Sequence, residues 1–256
     1  MAIREEEFDL PVDEGTMAVF LYEPDDAGPL PSIVMVHDAN GLTVEAREQA
    51  RWLAGHGYAV AAPDVFHRAG RLLTTAALGG GPEATLRVRA GMTNDGHASD
   101  VARLAAFLRE RPGSDGRVGL IGFCLGGRIA FLGATLGGVV DATVAFYPTR
   151  LLESDPAIPG SPWPVHGASN VTTPLLVFFP ALDGFNPYSN VESIRAAFGE
   201  TEGLVRAVWV EDADHAFAQP ETSAYHPVRA AEAWEETLAF FDRHLRRAES
   251  PVVHAG

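Results

Sequence analysis

Short unbroken apolar runs alternate along the chain with segments whose apolar residues recur every three to four positions. "TMAVFLYEP" (16–24) alternates as an edge strand does. "SIVMVH" (32–37), set between prolines and "DANG", predicts a buried parallel strand. Further strands are predicted at 58–63, 117–122, 142–148, 174–180 and 204–210. A helix over 44–57 carries Ala46, Ala50, Leu53 and Ala54 on one face. Another, in "HASDVARLAAFLRERPG", has Val101, Leu104, Ala105 and Leu108 as its face, Ser99 as cap and Pro112-Gly113 as stop. The segment 126–138 is apolar almost all round, which predicts a deeply buried helix. "NVESIRAAFG" (190–199) forms a helix, and a last one opens at Pro227 with Ala231, Trp234, Leu238, Phe241 and Leu245 facing inward. The glycine-rich stretch 66–95 reads as loop with at most one helix. Strands alternating with helices predict an α/β fold: a mostly parallel central sheet with helices on both faces. It is expected to form a single domain with its core over about 16–246 and a frayed tail at 247–256.

In such sheets, ligands bind beyond the carboxyl ends of the strands, so candidate chemistry is sought just after each one. Four places qualify: His37-Asp38, Cys124, Asp183 and His215. "GFCLG", Gly122 to Gly126, is the nucleophile-elbow pattern with cysteine in place of serine. A sharp strand-to-helix turn needs neighbours without side chains, and a helix N-terminus favours a thiolate. The backbone N–H groups of Leu125 and Ala39 would face a developing oxyanion. A lone cysteine is more often a small core residue. Here, however, a carboxylate (Asp183, in "FFPALDGFNP") and a histidine (His215, in "VEDADHAF") follow in the order nucleophile, acid, base that this elbow requires. Asp183 competes with a second role, capping a helix at 186–198.

Composition narrows the picture. The formal charge of −15 disfavours nucleic acid and anionic membrane as partners. No lysine occurs among the 256 residues, which excludes Schiff-base chemistry and lysine-ended phosphate loops. One cysteine cannot close an intramolecular disulfide, so a reducing, cytoplasmic home is expected. The acidic start "MAIREEEFDL" lacks the apolar core of a secretory signal, and no apolar run approaches a membrane span.

The words "IVMVHDANGL", "AAPDVFHR", "RVGLIGFCLGGRIAF", "LDGFNP", "DADHAF" and "AAEAWEETLAFFDRHL" resemble the dienelactone hydrolase (carboxymethylenebutenolidase) family of the α/β-hydrolase fold, from about residue 30 to 245. The resemblance implies Cys124 as nucleophile, Asp183 as acid and His215 as base, no metal or organic cofactor, and a small lactone or ester as substrate, dienelactone first. It also implies that a carboxylate after the second strand, usually glutamate, contacts the nucleophile and shifts when an anionic substrate binds. The matching residue here is Asp38, one methylene shorter, which reads equally as a turn residue before Asn-Gly. Where the family holds the substrate carboxylate with an arginine four residues after the histidine, this chain has Gln219. Arg87 or Arg89 could hold an anion instead, and His37, Phe66, His67, Tyr147 and Trp163 are candidate pocket residues. Two alternatives stand beside the lactone reading: a binding protein without turnover, and a hydrolase of an unrelated neutral ester.

Overall fold

The computed structural model describes residues 2–25, 28–152 and 164–246. Eight strands follow one another as β1 (Ile3–Val12), β2 (Gly15–Pro24), β3 (Leu30–Val36), β4 (Ala59–Pro63), β5 (Ser114–Phe123), β6 (Ala142–Phe146), β7 (Leu175–Pro180) and β8 (Val205–Val210). Six α-helices join them: α1 (Val44–Ala54), α2 (Gly81–Val88), α3 (Asn94–Glu110), α4 (Leu125–Ala134), α5 (Tyr188–Phe198) and α6 (Pro227–Leu245). The strands form one sheet in the order β1-β2-β4-β3-β5-β6-β7-β8. The β1–β2 and β2–β4 pairings are antiparallel and the rest parallel. This is the α/β architecture that the alternating pattern predicts.

Side-chain alternation in the central strands feeds two cores. Val118 and Leu120 of β5 point to one face, where they meet Val101, Leu104 and Leu108 of α3 and Ile129 and Phe131 of α4. Ile121 and Phe123 point to the other, where they meet Leu53 of α1 and Phe241 and Leu245 of α6. Both faces of the parallel strands are covered, so their sequences run apolar without interruption. Helix α4, short and apolar all round, lies buried as expected.

Several expectations are corrected. The edge strand is β1, hidden in the acidic N-terminal segment: Glu5, Glu6 and Glu7 are exposed on it, and charge on an edge discourages pairing with other chains. That leaves β2 interior, hydrogen-bonded on both sides. The 66–95 stretch holds α2, the one helix allowed for there, whereas α3 starts earlier than its apolar face suggests. Thr93 caps α3 by accepting from Gly96 N at 2.9 Å, while the Ser99 hydroxyl donates to Asp13 at 2.5 Å. The inward face of α6 is turned by one position: Ala230 and Ala233 are buried and Ala231 is exposed, with Trp234 and Leu238 half-buried against the core. The tail 247–256 and Trp163 lie outside the described residues.

Candidate active site

Strand β5 ends at Phe123, and α4 begins two residues later. Cys124 joins them with φ 55° and ψ −113°, a left-handed conformation that costs a side-chain-bearing residue of order 1–3 kcal/mol. Glycine is obligatory around it. A Cβ on Gly122 would sit 2.0 Å from the Gly126 carbonyl oxygen, and one on Gly126 would sit 2.3 Å from that of Val36. Both clashes are with backbone, so no rotamer change relieves them. Hydrogen bonds from Cys124 N to Phe146 O (3.1 Å) and from Thr149 N to Cys124 O (3.2 Å) pin the turn to β6 and the segment after it. Cys124 is half-buried, wedged between the two cores and not sealed within either.

The acid and the histidine come from the ends of β7 and β8, and backbone bonds stitch their loops together. Ala181 N donates to Val210 O, and Leu182 N to Ala213 O, both at 2.9 Å. Asn186 donates to the Pro148 carbonyl and anchors the same loop to the segment after β6. Asp183 is buried, accepting from Phe185 N (2.8 Å) on Oδ1 and from His215 Nδ1 (2.8 Å) on Oδ2. It does not cap α5, whose first residue follows Pro187. His215 is flanked by left-handed residues, Asp212 (φ 57°) and Ala216 (φ 68°), and its ring is held edge-on by Tyr147 (5.2 Å) and Phe185 (4.8 Å). Burial by itself would lower the pKa of His215. The hydrogen bond that Nδ1 donates to Asp183, together with the adjacent Cys124, outweighs it and pushes the imidazole up to about 10. The Nε2 atom is buried without a closed hydrogen bond. The thiol therefore lies near enough to change the proton affinity of the ring without being aligned on Nε2. Catalytic contacts are commonly loose before substrate binds.

The loop after β3 supplies the opposite wall. His37 is buried and donates from Nδ1 to Asp38 O (2.7 Å) while its Nε2 accepts from Val65 N (3.3 Å). Both ring nitrogens are thus committed in the neutral tautomer, and burial lowers the pKa accordingly. His37 shapes the loop and is not a free base. Asp38 accepts from Asn40 N (2.7 Å), the Asn40 amide (2.9 Å) and the Gln219 amide (2.9 Å). The two positions marked out by the family resemblance therefore touch each other directly. A cleft of about 190 Å³ opens here, lined by His37, Asp38, Asn40, Thr43, Phe123 and Gln219 among others. A second hollow of about 170 Å³, between β8 and α6, shares no residue with the site.

Other expected pocket residues are elsewhere. Phe66 is core, edge-on to His37 at 4.8 Å. The buried His67 imidazole lies 3.1 Å from Asp100, and Arg68 donates to both. Arg87 is exposed on α2, Arg89 follows it half-buried, and neither lines the cleft. Tyr147 does belong to the site: it is fully buried, its φ is 36°, and its hydroxyl has no partner among the described residues. Three neighbours escaped the sequence reading. Asn40 sits inside a recognisable Asp-x-Asn turn that hinted at an Asx bond, whereas Phe185 and Glu221 carried no periodic or motif signal.

The model of the dienelactone hydrolase family matches residues 17–245. A carboxymethylenebutenolidase of Pseudomonas putida is 31% identical over 216 residues, covering 83% of this chain and 85% of its own. That of Rhodococcus opacus is 28% identical over 228 residues, 88% of this chain and 86% of its own. Among solved structures, a candidate dienelactone hydrolase from Klebsiella pneumoniae superposes with a TM-score of 0.86 at 28% identity, over 95% of this chain and all of that one. A dienelactone hydrolase-like promiscuous phosphotriesterase from metagenomic libraries shares the fold, with a TM-score of 0.79 at 22% identity over 96% of this chain and all of its own. No helix among the described residues is long and apolar enough to cross a membrane.

Proposed function

The chain belongs to the dienelactone hydrolase family, and from that premise we propose that it hydrolyses small lactones or carboxylic esters with Cys124 as nucleophile. The observation that carries the reading is His215, bound on Nδ1 to a buried carboxylate and left open on Nε2 beside a thiol displayed on a strained elbow. His215 Nε2 takes the thiol proton, and Sγ attacks the acyl carbon. Asp183 fixes the tautomer and stabilises the imidazolium. Leu125 begins α4, so its N–H has no acceptor within the helix. Together with the Ala39 N–H it would hold the oxyanion, each donor contributing about 3 kcal/mol. The C–O bond breaks as His215 returns the proton to the leaving oxygen, giving a thioester on Cys124. Water, deprotonated by His215, then cleaves the thioester and restores the thiol. A thiol that works without a disulfide partner suits the reducing cytoplasm.

Carboxymethylenebutenolide, the substrate in the names of the relatives, is the first lactone to assay, beside aryl esters. Cys124→Ala should lower kcat by about 10⁴ or more. Acid-quenched wild type should carry the acyl mass on the Cys124 peptide. Retention of turnover within tenfold in Cys124→Ala would remove Cys124 from the mechanism. Absence of turnover in the wild type across the panel would put a binding role ahead.

A further inference from the structure

We propose that His37 is a positioning residue of the oxyanion hole: it orients the Asp38–Ala39 peptide so that the Ala39 N–H is presented to the elbow. The proposal rests on the hydrolase reading and adds a residue to it. Nδ1–H of His37 meets Asp38 O at 2.7 Å, and that carbonyl belongs to the same peptide unit as the Ala39 N–H. In a trans peptide the two groups point in opposite directions, so a bond on the carbonyl also aims the N–H. A second bond to this carbonyl, from Gly41 N, is longer at 3.4 Å. The Ala39 N–H itself has no acceptor among the described residues, which leaves a donor open in a half-buried loop.

The ring that holds the carbonyl has little freedom. It is buried, its Nε2 accepts from Val65 N (3.3 Å) just past β4, and Phe66 packs edge-on at 4.8 Å. The sheet order β4-β3-β5 puts β4 and β5 on opposite sides of β3. A carbonyl turned to a ring anchored on the β4 side leaves the N–H turned to the β5 side, where Cys124 stands. Register brings the Leu125 donor to the same place. Val36 pairs with Gly122, so Ala39 and Leu125 each lie three residues beyond the same rung. A Cβ on Gly126 would sit 2.5 Å from His37 O, so the two segments are in backbone contact there.

Two variants of the full chain divide the two bonds of the ring, with phenyl acetate as substrate. His37→Gln can still accept from Val65 N but carries no donor where Nδ1 stands, and His37→Asn does the converse. We expect His37→Gln to lower kcat by about 10² with KM within about threefold, since the hole acts on the transition state. His37→Asn should recover that loss to within about fivefold of wild type. Iodoacetamide alkylates a thiol by displacing iodide at a saturated carbon and builds no oxyanion, so its rate on Cys124 should stay within about twofold in both variants. Equal kcat in the two variants, or alkylation falling in step with kcat, would reduce His37 to packing and overturn the proposal. So would a loss above about tenfold in His37→Asn, even if His37→Gln failed to fold. A wild type without Cys124-dependent turnover sinks the hydrolase reading itself, and this proposal with it.

Discussion

Two of the histidine–aspartate contacts among the described residues have contrasting surroundings. His215 meets Asp183 at 2.8 Å, and His67 meets Asp100 at 3.1 Å. In the second pair both side chains are almost wholly buried, and Arg68 closes it by reaching Asp100 at 2.6 Å and His67 at 2.9 Å. The carboxylate of Asp100 is held below its ordinary range by the hydrogen bonds of His67 and Arg68, against the penalty of burial. In the first pair the imidazole keeps about a fifth of its surface exposed, and its second nitrogen faces a thiol instead of a structural partner. The pairing alone does not make a site. What else meets the imidazole separates the two: Arg68 shares the Nε2 atom that lies against Asp100, whereas Nε2 of His215, on the far side of the ring from Asp183, has no structural partner among the described residues.

The largest expected effect breaks this contrast at its acid. Asp183→Asn should lower kcat/KM by about 10³ to 10⁴ with little change in melting temperature, because it spoils the imidazole tautomer. Asp100→Asn should do the reverse. Folded protein should keep its kcat within a few fold, while Arg68, left with the exposed Glu14 as its charge partner, lowers stability by roughly 1–3 kcal/mol, read from urea midpoints. If both variants lost activity equally, the distinction between the pairs would fail.

A smaller effect sharpens it through pH. The raised pKa of His215 means its interactions stabilise the fold fully below its ordinary value near 6.5, and that contribution disappears as pH rises through about 10. The difference in stability between wild type and His215→Gln should therefore shrink above pH 9, and a constant difference would contradict the pairing. His97, behind the His67 cluster, has the opposite sign. Burial lowers its pKa to about 3, and neither ring nitrogen has a hydrogen-bond partner among the described residues. Asp100 favours its protonation, while Arg68, Arg128 and His67 oppose it. The unfolded chain takes up this proton below about 6.5 and the folded one does not, so stability falls with acid from that point. His97→Leu should flatten the decline between pH 7 and 4 by about 1–2 kcal/mol in differential scanning calorimetry.

The central strands, the buried α4 and the elbow were legible because each is a local pattern: apolar runs where both sheet faces are covered, glycines where backbones touch. The same locality hid β1, whose acids are tolerated only because it lies at the edge, and placed the cap of α3 six residues too late. At the site, the order Cys124, Asp183, His215 could be read along the chain, since each follows a strand. The sequence by itself determined which residue types stand at the strand ends, and that no lysine stands anywhere. Only the tertiary structure decided that His67 is a strut, that His37 is locked neutral, that Gln219 clasps Asp38 and that Asp38, Glu45 and Glu221 line one cleft. Those facts depend on distances between segments far apart in the chain. Such distances follow from packing across the whole sheet, and no local pattern of residues encodes them.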